Sequence, residues 1–490
     1  MKNISHKAKI ALLVITIIAI IISLLGIYKY QKIRIFDKTT YNELCKNLEK
    51  DAVNFNCQKD LKTYITTWAE DNNLKCIVDD FDNIIFEKQA SKKKTNETPT
   101  VFVVNYNYDN AVKNRKVLST AAMLAYTDVN SSKTTVIFIN NENNDGQSYE
   151  NINHSYFPDN AKVIYLDAGK SSYISASSYR QEDQTVTIDA KKVPVSCDTA
   201  IKIKIEGLKS DCIDTNVTTQ TNPIILFSTL LTRLQTKSTI CQLANLKVGN
   251  RGYMYPSSIE ATILLNSYSV DSFTKYIDKR IEKFEKNHDI ESEPNVKYSY
   301  EIIEKSSDAF PKKAYSKKTL KSLTTMLFTL DSDTYRFNEE DMIPDGYEEY
   351  SIYGISSVRQ IRTDKSNIFI DITSQAINKS KLSEILNDHS EAAKLSDCSI
   401  KTTKKLESFK NNKPGLINTL QKTYFIVNDL SGTNITLKEK NDTYFTPMTY
   451  LARINKNMDI IHVKEGSKAN TIITNMLLCY IETKGNFLSL

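Results

Sequence analysis

The apolar positions fall into short blocks whose spacing predicts a layered α/β fold. Residues 101–104 (Val-Phe-Val-Val), 136–139 (Val-Ile-Phe-Ile) and 163–166 (Val-Ile-Tyr-Leu) read as strands buried on both faces. An Ala-, Leu- and Met-rich helix is expected at 118–126, and a helical pattern runs over 41–72. Short apolar strands separated by a helix predict a mixed, largely parallel sheet flanked by helices. A second pattern starts near Ala200, where 201–205 alternates Ile-Lys-Ile-Lys-Ile as a half-exposed strand does. Helices are expected at 223–235 and 382–393, and strands at 260–265, 298–303 and 368–372. Phe273, Ile277, Ile281 and Phe284 repeat at helical spacing opposite a charged face. This succession predicts an inserted α+β domain. The tail from Leu416 rejoins the first layer, with a strand at 460–463 and a closing helix near 472–481.

The run 10–27 is almost wholly apolar, interrupted by Thr16, Ser23 and Gly26. It is expected to form a transmembrane helix, because a helix satisfies its own backbone in lipid. A cleaved signal peptide and a buried core helix are the other readings of such a run. On the anchor reading the partner is the membrane, and the large C-terminal region of a single-pass protein is expected outside the cytoplasm. Lysines flank the run on both sides and favour an inside N-terminus only slightly. The net charge of +6 comes without a basic tract, so no nucleic acid is expected as a partner. The eight cysteines are dispersed without metal-knuckle spacing.

In open α/β sheets the carboxyl ends of the strands border the functional crevice. Those ends carry Asn107 and Asp109, then Glu142 and Asn143, then Asp167. Asp109 and Asp167 are candidate metal ligands, and Glu142 is a candidate general base if something polarises its water. Each also has an ordinary reading as a capping, turn or solvated acid. The five histidines form no His-x-Asp or His-Glu-x-x-His unit, and His462 lies in or beside the last strand. No Gly-x-Ser-x-Gly elbow and no Gly-rich phosphate loop occurs.

In the order of these segments the chain resembles the M20 metallopeptidases, and within them the aminoacyl-histidine dipeptidase branch. The family's Gly-His-x-Asp strand end resembles the segment ending in Asn107 and Asp109, with Asn107 at the histidine's place and Asp109 at that of its supporting aspartate. The metal-bridging aspartate before the Ala/Leu-rich helix has no acidic counterpart. Its approach is Lys113-Asn114-Arg115-Lys116. The Glu-Glu-x-Gly strand end resembles Glu142-Asn143, which keeps the base and loses the ligand. The resemblance puts Asp167 at a retained ligand position. In the inserted domain it puts Cys212 at a histidine's place, Tyr253 at an asparagine's and Thr373 at an arginine's. His462 falls too early for the last ligand histidine, whose place lies near 467–469.

The resemblance therefore implies a zinc-aminopeptidase-like fold with an inserted lid or dimerisation-like domain and a degenerate metal site. The expected division is a flank at 1–9, a signal anchor at 10–28, a peptidase-like part at 38–195, the lid at 196–395 and a second peptidase-like part at 396–490. The expected function is a membrane-anchored, inactive homologue that binds a peptide or protein in its interdomain cleft and needs no cofactor. The alternative is a divergent zinc-dependent dipeptidase or exopeptidase built on Asp109, Glu142, Asp167 and His462. The resemblance also leaves a homodimer open.

Overall fold

The computed structural model describes residues 14–21, 23, 38–143, 145–208, 222–236, 241–249, 256–287, 296–330, 334–338, 342–344, 350–431, 437–467 and 471–486. The chain runs through α1 (Lys38–Asp51), α2 (Gln58–Asp71), β1 (Cys76–Val78), β2 (Ile84–Lys88), β3 (Thr100–Tyr106), α3 (Ala111–Tyr126), β4 (Thr134–Asn140), β5 (Lys162–Gly169) and β6 (Tyr173–Ser175). Next come β7 (Arg180–Asp189), β8 (Thr199–Glu206), α4 (Pro223–Thr236), β9 (Cys241–Val248), β10 (Ile259–Leu265), α5 (Ser267–Asn287) and β11 (Lys297–Glu304). They are followed by α6 (Lys317–Thr329), β12 (Ile352–Thr363), β13 (Asn367–Ala376), α7 (Lys379–Leu395) and β14 (Ser399–Leu406). The tail adds α8 (Gly415–Ser431), β15 (Lys438–Glu439), α9 (Met448–Ile454), β16 (Asp459–Gly466) and α10 (Ile472–Thr483).

The first sheet has the order β1-β2-β4-β3-β5-β16-β6-β15. Its central strands β4, β3, β5 and β16 are parallel. Helices α1, α3, α8 and α10 contribute to the apolar layer on one face, where Phe102, Val104, Leu118, Ala121, Leu420 and Leu477 pack together. The other face buries Val101, Val103, Ile137, Val163 and Tyr165 against Met448 and Leu451 of α9. Both faces of β3 are thus covered, which is why its sequence is continuously apolar rather than alternating.

In the second sheet the path β11-β8-β10-β9-β12-β13-β7-β14 is antiparallel throughout. It divides into two βαββαβ units, β8-α4-β9-β10-α5-β11 and β7-α6-β12-β13-α7-β14, each in the strand order 4-1-3-2. The first is inserted into the second between β7 and α6. The sheet therefore spans Arg180–Leu406 and draws β7 and β14 from beyond the expected 196–395. Its outermost strands carry Lys297, Glu301 and Glu304 on β11, and Lys401, Lys404 and Lys405 on β14. Charges of this kind oppose further strand addition.

The expected transmembrane anchor is overturned. Among the described residues no helix is long and apolar enough to cross a membrane. Residues 14–21 and 23 are helical. Most of the remaining run lies outside the described residues. Apolar composition is necessary for a helical span but does not by itself establish one. The fold class of the described residues is therefore α/β, with no transmembrane helix among them. The membrane as partner, the single-pass topology and the extracytoplasmic placement lose the helix on which they rested.

Two local expectations also shift. Helix α3 begins at Ala111, not near 118, because Asn107 caps a 3-10 turn at Tyr108–Asn110 that leads straight into it. The pattern over 41–72 is broken at Ala52–Asn54, after which α2 starts with Asp60 accepting from the backbone N–H of Cys57 at 3.2 Å.

The two βαββαβ units meet where Val248 of β9 pairs with Ile361 of β12. Directly after it, Gly249 has φ +65, and a Cβ there would lie 2.4 Å from the Arg359 carbonyl oxygen. Gly249→Ala is expected to cost about 1–2 kcal/mol for the left-handed backbone alone, and more for the clash. A lower denaturation midpoint with unchanged secondary structure by circular dichroism checks this.

Glu465 of β16 is buried on the helix side and accepts from Thr120 Oγ1 at 2.9 Å and Tyr41 Oη at 3.4 Å. Burial pushes its carboxyl up to about 7, against partial relief from Thr120 and Lys116. The folded protein holds this proton to higher pH than the unfolded chain, so the contribution is full below pH 4.5 and fades as pH rises through 7. Burial pushes His389 down to about 4, which gives the opposite slope between pH 4 and 6.5. The difference between wild type and Glu465→Gln isolates the carboxyl. It is expected to shift by up to about 3 kcal/mol against the wild type over pH 4.5–7, measured by denaturant titrations at several pH values.

Candidate functional site

The carboxyl ends of the parallel strands carry two separate polar groups. Beyond β3, Asn107 Oδ1 accepts the backbone N–H of Asp109 at 3.0 Å, while its Nδ2 donates to the Asn141 carbonyl at 3.4 Å. The side chain of Asn107 is thus used in shaping the loop. Asp109 is exposed, as are Glu142 and Asn143 in the turn after β4. Burial, then the charge of Asp109, and further down that of Glu142, raise the Tyr108 phenol. These two acids therefore share one electrostatic neighbourhood.

The second group is built on β5, β16 and β6. In register, His462 lies opposite Tyr165 and Lys464 opposite Asp167, while Ser175 and Tyr173 of β6 flank His462 and Lys464 on the other side. Alternate strand residues share a face, so these side chains form one patch. His462 is fully buried, and its Nδ1 lies 2.8 Å from Asp442 Oδ2. The other oxygen of Asp442, also buried, accepts from Tyr173 Oη at 2.8 Å. Burial and then the Asp442 charge raise the Tyr173 phenol, which keeps it a donor. Lys464 Nζ donates to Tyr444 Oη at 2.6 Å and lies 3.9 Å from Asp167 Oδ2. A Cβ at Gly169 would sit 2.6 Å from the Lys464 stem, so the absent side chain is what lets that stem cross β5. On the far side, Asn105 Nδ2 donates to Tyr165 Oη at 3.2 Å and its Oδ1 accepts from Tyr149.

The loop that delivers Asp442 and Tyr444 also reaches the second sheet. The Phe445 N–H donates to Gln375 Oε1 of β13 at 2.8 Å, and Gln375 in turn donates to Gln181 Oε1 of β7 at 2.9 Å. Thr373 of β13 is buried, and its hydroxyl donates to Asp183 Oδ1 at 2.7 Å. Arg115 lies inside α3 and turns to the helical layer, where its Nη2 is 3.3 Å from Glu49. Cys212, Tyr253 and residues 468–469 lie outside the described residues.

Sequence reasoning singled out Asp167 and His462 but missed Asp442, Lys464, Tyr173 and Tyr444. The register signal was available for Lys464, two residues from His462 on a strand parallel to the one that ends in Asp167. Asp442 and Tyr444 come from a loop with no local signature.

A bridged pair of zinc ions needs several anionic or imidazole donors around one point. Among the described residues no three His, Cys, Asp or Glu side chains gather as a group fit to hold a metal. Asp167 Oδ2 faces His462 Nε2 at 3.9 Å and the Lys464 ammonium at the same distance. A fixed cation there opposes a second cation. The residues do not fit the dimetal centre.

Comparison with solved structures bears on the fold. The chain superposes on aminoacylhistidine dipeptidase from Vibrio alginolyticus with a TM-score of 0.50 and 12% identity, over 87% of this chain and 93% of that one. The chain has an M20-metallopeptidase-like fold. Aminopeptidase PepT from Bacillus cereus gives a TM-score of 0.46 at 8% identity, over 91% of this chain and 99% of that one. A tripeptidase from Staphylococcus aureus gives 0.43 at 6%, over 92% and 99%. Identities this low speak for the fold alone. The sequence matches no family model and no curated protein. Within the M20-like frame, the patch on β5, β16 and β6 sits at the carboxyl ends of parallel strands, where open α/β sheets place their ligands.

Asp442 holds this patch together. Asp442→Ala removes an acceptor from the buried His462 and Tyr173 at once, and is expected to cost about 2–5 kcal/mol. Asp442→Asn, which keeps the volume and one acceptor, is expected to cost less. Chemical denaturation of both variants checks the order.

Proposed function

We propose that this chain is a metal-free homologue of the M20 peptidases, nearest in kind to the aminoacyl-histidine dipeptidase branch. It binds a short peptide or a protein segment in the crevice between its two sheets instead of hydrolysing it with a dimetal centre. One observation carries this reading. Asp167 faces the ammonium of Lys464 at 3.9 Å, and Lys464 is fixed by Tyr444 at 2.6 Å. A carboxylate that would otherwise ligate a metal already has a protein counter-charge. Asn107 and Asn143 support the same reading, since an amide is a poor substitute for an imidazole or a carboxylate as a zinc ligand.

A divergent metal-dependent dipeptidase is the second reading, and one observation favours it. Asp442 orients the buried His462 so that its Nε2, which has no hydrogen-bond partner, faces Asp167. Carboxylates orient metal-bound imidazoles in this way. The crowding by Lys464 weighs against it. The readings part on metal analysis of the purified full-length chain with turnover on a dipeptide panel. The metal-free reading expects substoichiometric zinc, a melting temperature unmoved by chelator, and no turnover in wild type or Glu142→Gln. Stoichiometric tightly held zinc, with hydrolysis abolished by Glu142→Gln, overturns it.

A further inference from the structure

A groove runs between the outer face of α8 and the turn that follows α10. Its volume is about 530 Å³, and it is lined by Asn418, Gln421, Lys422, Phe425, Ile426 and Gly485. That size is ordinary for a ligand cleft, at roughly 300–1,000 Å³. The five α8 residues repeat at helical spacing and form one stripe. The opposite stripe, Leu416, Ile417, Leu420 and Tyr424, is buried in the helix-side core. Phe425 thus stands on the outer side of its helix, 70% exposed. Lys422 contributes an apolar stem, and the two amides offer donors and acceptors to a passing backbone. The groove therefore suits an extended, uncharged, apolar segment.

The chain itself delivers such a segment. Lys484 has φ 50 and Gly485 φ 80, and left-handed residues of this kind turn a chain sharply at a helix end. The Lys484 N–H donates to the Tyr480 carbonyl at 2.7 Å and the Gly485 N–H to Thr483 Oγ1 at 3.1 Å, which fixes the turn. A Cβ at Gly485 would lie 2.5 Å from Thr419 Cγ2, so the backbone passes directly over α8 there. Residues 487–490, Phe-Leu-Ser-Leu, follow two positions later and lie outside the described residues. Their side chains carry no charge. Four extended residues reach about 13–14 Å, and α8 rises about 10 Å from Thr419 to Ile426. Alternate residues of an extended segment share a side, which groups Leu488 with Leu490.

We propose that residues 487–490 run along α8 and lay Leu488 and Leu490 into this groove against Phe425 and Ile426, a strap that closes it from within the chain. The driving force is removal of two leucines and the Phe425 ring from water. Tethering favours this occupant over a free one. Gly485 is a wall of the groove, so the segment is held beside it at an effective concentration that reaches the millimolar range for short linkers. The inference does not rest on the peptide-binding reading, because neither Asp167 nor the 441–447 loop takes part in it.

The test uses the full chain with p-benzoylphenylalanine in place of Leu490. Irradiation is expected to crosslink that position, within one molecule, to the 418–426 segment of α8, as read by mass spectrometry of the digest. A stability cycle stands beside it. Phe425→Ala changes an exposed side chain, which ordinarily costs little. Under the strap, its lowering of the denaturation midpoint is expected to be at least about twofold larger in the full chain than in a chain ending at Asn486. If the shortened chain does not fold, the crosslink on the full chain decides alone. Crosslinks to another part of the molecule, no crosslink, or a Phe425→Ala effect that is the same with and without residues 487–490 overturns the strap. A crosslink to a second molecule also overturns it, and assigns the groove to an interface between copies.

Discussion

Strand β16 has to bury Asp459, His462, Lys464 and Glu465 in the middle of a sheet, and the architecture around it follows from satisfying them. It lies between β5 and β6, and all of its residues from Asp459 to Gly466 are buried. An unpaired polar group in such a place costs several kcal/mol, and a charge costs more. Asp459 is met by Lys162 at 2.8 Å and by Asn411 at 2.6 Å. Glu465 points to the helices and is met by Thr120 and Tyr41. His462 and Lys464 point the other way and are met by Asp442 and Tyr444. One strand thereby ties α1 and α3 on one face to the 441–447 loop on the other.

That loop makes the site a property of both sheets. Its side chains complete the β16 network, while the backbone of Phe445 bonds to Gln375 in β13. The loop thus joins the parallel sheet to the second sheet through the Phe445–Gln375 hydrogen bond.

The apolar strands β3, β4 and β5 were legible in the sequence because burial on both faces leaves continuous runs such as Val101 to Val104. Strand β7 was not. Its Arg180-Gln181-Glu182-Asp183-Gln184-Thr185 reads as a polar segment, yet Gln181 to Thr185 are buried. They are satisfied across strands, by Gln375 at Gln181, Thr373 at Asp183 and Asp371 at Thr185. Hydropathy cannot register a pairing between residues nearly two hundred positions apart. The candidate site was half legible for the same reason. Asp167 and His462 stood out by residue type at strand ends, whereas Asp442 and Tyr444 matter only through contacts that the chain order hides. Glu142 and Asp109 stood out equally well but are exposed and lie apart from the buried network. The apolar run at 10–27 suggested an anchor by composition, and among the described residues no helix is long and apolar enough to be one.

Asp167 needs a counter-charge in a site that does not fit paired metal ions. A carboxylate at the edge of a low-dielectric layer is unfavourable without a counter-charge. Lys464 supplies one, and it reaches that place only because residue 169 is a glycine and Tyr444 offers its hydroxyl. These features depend on one another. Deleting Lys464 alone strands Asp167 and leaves the buried Tyr444 without its donor, and filling Gly169 displaces the lysine stem. Restoring a single ligand, for example a histidine at Asn107, would therefore not recreate a metal centre, because the ammonium would still occupy the electrostatic role of the ion. On the metal-free reading proposed above, Lys464 stands as the counter-ion of Asp167, held in place by its own supporting contacts.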